Sequence, residues 1–282
     1  MIKVCKTLEE LQEARSHHNK VGFVPTMGNL HQGHISLLSQ ALNDFDEVYF
    51  SIFVNPKQFG PNEDFEKYPR TLQDDLNLIE AELKNHKGKT VVVFAPASPD
   101  EVYKGFNKTI TVKGITEILE GSIRPGHFDG VTTVVYRLFE LVKPTKAYFG
   151  MKDYQQWAVI CAMVKQENLP IEIVGMPIKR SAEGLALSSR NQYLSPEQKS
   201  DALKIINTLN EIKQIIDGKK ENLPQAQEFV SEKLKDSNWD YLTIRDYLSL
   251  SEDLSNSNKL TILAVYRMGG TRLLDNIQVE IK

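Results

Sequence analysis

Apolar residues along this chain arrive in short runs separated by amphipathic stretches. Val21-Gly-Phe-Val-Pro25, Glu47 to Val54, Thr90 to Ala95, Lys146 to Gly150 and Ile171 to Gly175 are strand-length, with little alternation of apolar and polar positions. Runs of that kind predict strands covered on both faces. Between them the spacing turns helical. Ile35, Leu37, Leu38 and Leu42 mark a helix over about 33–43, and Leu72, Leu76, Ile79 and Leu83 mark an amphipathic one. Further helices are predicted over about 128–142 and 153–167. Strands alternating with helices predict an α/β fold: a Rossmann-like parallel sheet with helices on both faces. Ligands of such sheets bind beyond the carboxyl ends of the strands, which singles out the loops 25–33, 54–70 and 150–153.

Beyond Pro177 the pattern changes. Two polar-faced helices, about 196–216 and 223–235, precede shorter strand-like runs at 240–247, 260–267 and 276–281, with turns at Gly269-Gly270 and Asp275-Asn276. The expected organisation is therefore a domain over 1–177 and a smaller C-terminal α+β domain over 178–282. A chain of 282 residues accommodates both.

Charge then narrows the partners. Lys and Arg number 34 against 37 Asp and Glu, with no basic tail or stripe, so nucleic acid is not an expected partner. Apolar runs stay well below the ~20 residues that span a bilayer, so no membrane partner is expected either. The N-terminus shows no apolar signal segment, and Cys5 and Cys161 stand far apart outside any CxxC pattern. A cytoplasmic protein is the expectation.

Candidate chemistry concentrates in Pro25-Thr-Met-Gly-Asn-Leu-His-Gln-Gly-His34. This loop follows a strand, carries Gly28 and Gly33, and enters a helix. A helix start offers unpaired N–H groups and the positive end of a dipole, which suit phosphate. Two imidazoles there can donate to phosphate oxygens and stabilise charge building on a leaving pyrophosphate. A bland reading, with one histidine a cap and the other solvated, competes with this. Zinc is disfavoured, since no Cys or carboxylate stands at ligand spacing nearby.

His-x-Gly-His after the first of these strands resembles the signature of the nucleotidylyltransferase-like superfamily. Ser51-Ile-Phe-Val-Asn-Pro-Lys-Gln-Phe-Gly60, Tyr68-Pro-Arg-Thr71, Arg124-Pro-Gly-His-Phe-Asp-Gly-Val131, Tyr148-Phe-Gly-Met-Lys-Asp-Tyr-Gln-Gln156 and Gly184-Leu-Ala-Leu-Ser-Ser-Arg-Asn191 narrow the likeness. Together, and in this order, they resemble the pantothenate synthetase (pantoate–β-alanine ligase) family over nearly the whole chain.

The resemblance implies an AMP-forming carbon–nitrogen ligase. ATP and (R)-pantoate would give pantoyl adenylate and pyrophosphate, and β-alanine would then give pantothenate and AMP. It also implies site residues. Met27, Gly28, Asn29, Leu30, His31, Gln32, Gly33 and His34 would wrap the ATP phosphates, with His34 the catalytic proton donor. Gly150, Met151, Lys152, Asp153, Lys179, Leu187, Ser188, Ser189 and Arg190 would complete the ATP site. Gln58 and Gln156 would hold pantoate, and Gln58 would also meet β-alanine; an amide grips hydroxyl and carboxyl groups without adding charge. The Arg124 to His127 stretch matches the family without an assigned contact, a loop-shaping role being the alternative.

Two positions depart from the family pattern: Met151, often Glu in relatives, and Lys179, commonly aliphatic. Mg²⁺ is expected to arrive with ATP, bound mainly through phosphates and water. The resemblance also implies a homodimer. Because the Arg190 motif lies past the boundary near 177, a lid role is expected for 178–282, with a hinge near 176–180 and closure on ATP. The competing readings are a nucleotidylyltransferase acting on a small phosphorylated acceptor and a nucleotide-binding sensor. The former calls for extra basic groups; the latter does not need His31, His34, Lys152, Ser189 and Arg190 together.

Overall fold

The computed structural model describes residues 1–15, 20–60, 63 and 65–282, so residues 61, 62 and 64 of the 54–70 loop lie outside the description. It divides into two compact units. One comprises Met1–Met151 and Val159–Pro177, the other Lys152–Ala158 and Ile178–Lys282. Residues 152–158, expected in the first domain, group instead with the second.

In the first unit β1 (Ile2–Cys5), β2 (Gly22–Thr26), β3 (Glu47–Ile52), β4 (Thr90–Phe94), β5 (Lys146–Gly150) and β6 (Glu172–Met176) form one parallel sheet, ordered β1-β4-β3-β2-β5-β6. The helices are α1 (Leu8–Arg15), α2 (Gln32–Asp44), α3 (Leu72–Leu83), the short α4 (Pro99–Tyr103) and α5 (Glu120–Ile123), α6 (His127–Val142) and α7 (Tyr154–Gln166), whose first turn lies in the second unit. β1 and α1 were not expected. Ile2-Lys-Val-Cys5 alternates with lysine and pairs along one edge only, against β4.

The unbroken apolar strands find partners on both faces. Val24, Val48, Phe50, Val91 and Val93 pack with Leu38, Leu42 and Ile79 of α2 and α3. On the opposite face Phe139 of α6 meets the edges of Phe23 and Phe149, with centroids 6.2 and 6.4 Å apart. Burying one such ring contributes about 2–3 kcal/mol.

Strand order reverses at β2. Successive strands run outward through β3 and β4, and the chain then returns to place β5 on the other side of β2. β2 and β3 are in register over five residues, whereas β2 and β5 pair only at Gly22–Lys146 and Phe23–Ala147. The sheet therefore parts toward the carboxyl ends of β2 and β5, the crevice where α/β sheets bind ligands.

In the second unit α8 (Pro196–Asp201), α9 (Leu203–Ile216) and α10 (Leu223–Lys233) precede an antiparallel sheet of β7 (Trp239–Asp246), β8 (Lys259–Met268) and β9 (Thr271–Glu280). Ile205, Leu209, Ile212 and Ile216, spaced four, three and four, put α9 into this core. The single helix expected over 196–216 is two, because the chain tightens at Ala202 into a three-residue step, Ile205 N–H donating to Ala202 O.

Candidate active site

The loop from β2 to α2 is held by a residue remote in sequence. Asp75 of α3 is 1% exposed, and its two carboxylate oxygens accept the amides of Asn29 (3.1 Å) and Leu30 (2.8 Å), with the Thr71 hydroxyl adding a third bond. Gly28 at φ +82° and Asn29 at φ 50° turn the chain into this grip. A Cβ on Gly28 would lie 3.0 Å from both Asp75 Oδ2 and Ile52 Cγ2, so the turn needs glycine twice over. The Leu30 side chain faces the core. Among residues expected on phosphate, Asn29 and Leu30 thus have their amides already committed.

His31 and His34 both act on the start of α2. His31 is the N-cap in an extended conformation, so the two rings do not share a helical face. Its Nδ1 accepts the Gly33 amide at 3.0 Å, while His34 Nδ1 accepts the His31 amide at 3.3 Å. This is a capping box made by two histidines. Each Nδ1 is an acceptor, so the ring proton of each neutral imidazole sits on Nε2. The rings lie 4.2 Å apart between centroids, giving two N–H donors at the positive end of a helix dipole. Both side chains thus act as caps, where the bland reading gave that role to one and left the other solvated.

Beyond β3, Asn55 starts a tight turn, Pro56–Gln58. Asn55 is 1% exposed and fully satisfied. Its Oδ1 accepts from Lys57 N–H (3.2 Å) and Tyr103 O–H (2.8 Å), and its Nδ2 donates to Gln58 Oε1 (3.3 Å) and Gly130 O (3.1 Å). Gln58 Nε2 donates to Met27 Sδ at 2.9 Å, tying this turn to the β2–α2 loop. The Arg124 to His127 stretch lies against it: His127 Nδ1 is 2.8 Å from Gln58 O, and Arg124 is paired with Glu63. At the end of β5, a Cβ on Gly150 would meet nothing within 4 Å. Met151 donates its amide to Met176 O. The first unit thus gathers Met27–His34 and Gln58, with Gly150 and Met151 at the end of the neighbouring strand.

The remaining expected residues fall in the second unit. Lys152 lies 3.5 Å from Asp153, and Asn276 Nδ2 donates to Lys152 O. Gln156 is on the first turn of α7. Lys179 and Leu187 are brought together by a backbone bond of 2.8 Å, next to the Arg180–Ala186 bridge; Arg180 itself grips Asp275 through two bonds. Ser188 caps the turn Ser189–Tyr193 by accepting the Arg190 amide, and Arg190 is exposed.

A sequence model of the family described as pantoate-beta-alanine ligase matches residues 2–278. The chain belongs to the pantoate-beta-alanine ligase family. It is 40% identical over 287 residues to a pantothenate synthetase of Acetivibrio thermocellus, covering 99% of this chain and 100% of the relative. It is similar to the crystal structure of the Thermus thermophilus pantothenate synthetase, with TM-score 0.86, 39% identity and coverage of 98% and 99%. A further similar structure is the Francisella tularensis pantoate-beta-alanine ligase, solved with beta-gamma ATP and beta-alanine. That likeness has TM-score 0.71, 32% identity and coverage of 98% and 97%. The ligase-family fold expected from the motifs is the fold observed.

Sequence reasoning missed Asp75, Asn55, Tyr103 and the contact of His127. Asp74-Asp75 reads as ordinary acidic decoration of a helix start, and Asn55-Pro56 as a strand terminator. Only the pairing of residues far apart in sequence reveals their work.

Proposed function

We propose that this chain joins (R)-pantoate to β-alanine at the expense of ATP, releasing AMP and pyrophosphate through a pantoyl adenylate. The pantoate carboxylate, ionised at neutral pH, attacks the α-phosphorus, and the bond to the pyrophosphate oxygen breaks. The uncharged amine of β-alanine then attacks the acyl carbon, and AMP leaves with the bonding electrons of the C–O bond. The amine's proton passes to solvent or to a base. Adenylation is needed because the bare carboxylate would have to expel oxide.

One contact carries the reading: Gln58 Nε2 on Met27 Sδ, which joins a neutral hydrogen-bonding turn to the helix-start loop. The turn suits a hydroxy acid, and the loop suits phosphate. His34 and His31 face charge developing on pyrophosphate through Nε2–H groups. Gln58 holds pantoate and meets β-alanine, and Gln156 is its expected companion on pantoate. Gly150 leaves space for a nucleotide. Roles for Met151, Lys152, Asp153, Lys179, Leu187, Ser188, Ser189 and Arg190 at ATP rest on the likeness of their motifs.

ATP enters as its Mg²⁺ complex, the metal held by phosphates and water. Among the described residues no three of His, Cys, Asp and Glu gather to hold a metal, and a phosphate-borne ion needs no such cluster. No helix among the described residues is long and apolar enough to cross a membrane. A cytoplasmic homodimer remains part of the proposal, with sedimentation equilibrium as its check.

The function is tested by isotope exchange. Labelled pyrophosphate should enter ATP when pantoate is present without β-alanine, and not when pantoate is omitted. A strict requirement for β-alanine in the exchange would overturn the two-step order.

A further inference from the structure

The conformation of Gln58 is set from three sides. Its side-chain oxygen accepts from Asn55 and its side-chain nitrogen donates to Met27, while its main-chain oxygen lies 2.8 Å from Nδ1 of His127. α6 comes this close only because Gly130 has no side chain. A Cβ there would fall 2.2 Å from Lys57 O and 2.6 Å from Gln58 Cα, so backbone would have to move.

The tautomer of His127 follows from its partners. A carbonyl only accepts, so Nδ1 carries the proton that bonds Gln58 O. A guanidinium only donates, so Nε2, 3.1 Å from Arg124 Nη1, is bare. Arg124 is itself fixed by two bonds to the Glu63 carboxylate. Glu63, Arg124 and His127 thus form a directed chain that ends on the backbone of Gln58. Neither Arg124 nor His127 has a part in the chemistry described above.

We propose that His127, oriented by Arg124, is a positioning residue that aims the Gln58 amide at the hydroxy acid by holding the Gln58 carbonyl. This rests on the reading of Gln58 as a pantoate contact. The turn it holds is only three residues long, closed by Gln58 N–H to Asn55 O at 3.4 Å, Phe59 N–H to Pro56 O at 3.2 Å and Lys57 N–H to Asn55 Oδ1 at 3.2 Å. So short a turn keeps a side chain aimed only when its backbone is tethered elsewhere.

Two variants of similar polarity separate the bond from the bulk of the ring. In His127→Asn the side-chain amide nitrogen stands near the place of Nδ1 and can still donate to Gln58 O. In His127→Gln the amide reaches the place of Nε2 and that bond is lost. His127→Gln should raise the KM for pantoate about tenfold, the scale of one hydrogen bond, with the KM for ATP changed less than about twofold. His127→Asn should return the pantoate KM to within about threefold of wild type. In a Gln58→Ala background His127→Gln should add almost nothing, since a residue that acts through Gln58 has nothing left to position.

Equal pantoate KM in the Asn and Gln variants would overturn the proposal, as would a matching rise for ATP or full additivity with Gln58→Ala. If Gln58→Ala weakens pantoate and His127→Gln does not, the positioning role alone falls. If Gln58→Ala leaves pantoate unchanged, the reading of Gln58 falls and the positioning role with it.

Discussion

The ring of His31 lies over Gly33, and a methyl group on that glycine would sit 2.7 Å from His31 Cε1 and 2.8 Å from Nδ1. The glycine of the His-x-Gly-His segment therefore makes room for the first histidine to fold back and cap the helix. Gly33→Ala should push that ring away and break the Nδ1 bond. The expected loss is about 1 kcal/mol of stability, the usual worth of an N-cap, together with a fall in turnover. Urea unfolding and steady-state rates on the same preparation check both; unchanged stability would mean the ring does not cap in solution.

His34 caps the helix, and mutation can part that role from the one proposed for it at phosphate. His34→Ala removes the cap on the His31 amide and the Nε2 donor, and turnover should fall roughly 10²–10³-fold, as for one preorganised donor at a developing charge. His34→Gln keeps an acceptor at the third helical position, where glutamine normally completes a capping box. Its stability should stay near wild type while turnover remains low. Full activity in the glutamine variant would reduce His34 to a cap.

Asp75 should matter more than its lack of any expected role suggests. Asp75→Ala leaves the buried Leu30 amide and the half-buried Asn29 amide without acceptors, a loss of about 2–3 kcal/mol. Asp75→Asn keeps one acceptor and turns an amide NH2 toward a donor, so it should fall between. With the loop loosened, the KM for ATP should rise in both. A variant that melts like wild type and binds ATP normally would contradict the grip.

How much of this was legible beforehand follows from sequence distance. β2 to β6 were visible because a strand buried on both faces is apolar throughout, and Phe23 and Val24, adjacent in sequence, serve opposite faces. β1 was not visible, since four residues alternating with lysine carry too little pattern. The helix-start loop was visible because its histidines and glycines lie within a few residues of one another. The Asp75 bonds to residues 29 and 30, and the His127 bond to Gln58, span 45 to 69 positions. Neither partner looks unusual by itself. Local pattern names the candidate groups; the residues that hold them in place arrive through the fold.

Gly150 offers a clean separation of binding from folding. Its φ is not in the left-handed region, and an added Cβ would meet nothing in the protein. Gly150→Ala should leave stability unchanged or slightly raised, because alanine restricts the unfolded chain more than glycine does. A nucleotide lying against that backbone would meet the new methyl group, so the KM for ATP should rise severalfold. An unchanged ATP KM would remove Gly150 from the nucleotide site.

Acid should break the contact between His127 and Arg124, because a protonated Nε2 can no longer accept from the guanidinium. Burial, reinforced by the positive charge of Arg124, lowers the His127 pKa from its ordinary 6.5. Below 6.5 the unfolded chain therefore takes up this proton before the folded one does. The stabilising contribution is complete above about pH 6.5 and is lost as pH falls from there through the folded value. Glu63, at the far end of the chain through Arg124, has a pKa lowered from 4.5 by its bonds to Arg124, so its contribution is complete above about 4.5 and lost further into acid. Between these limits the loss assigned to His127 is not mixed with that of Glu63. Contributions from all other groups cancel when wild type is compared with His127→Asn, which has no ring to protonate. The gap in urea midpoint between the two proteins should be widest and nearly level from pH 8 to about 6.5 and should narrow from there toward pH 5. A gap that stays constant across that range would mean that His127 keeps its proton count on folding, and that the Arg124 contact does not hold Nε2 bare.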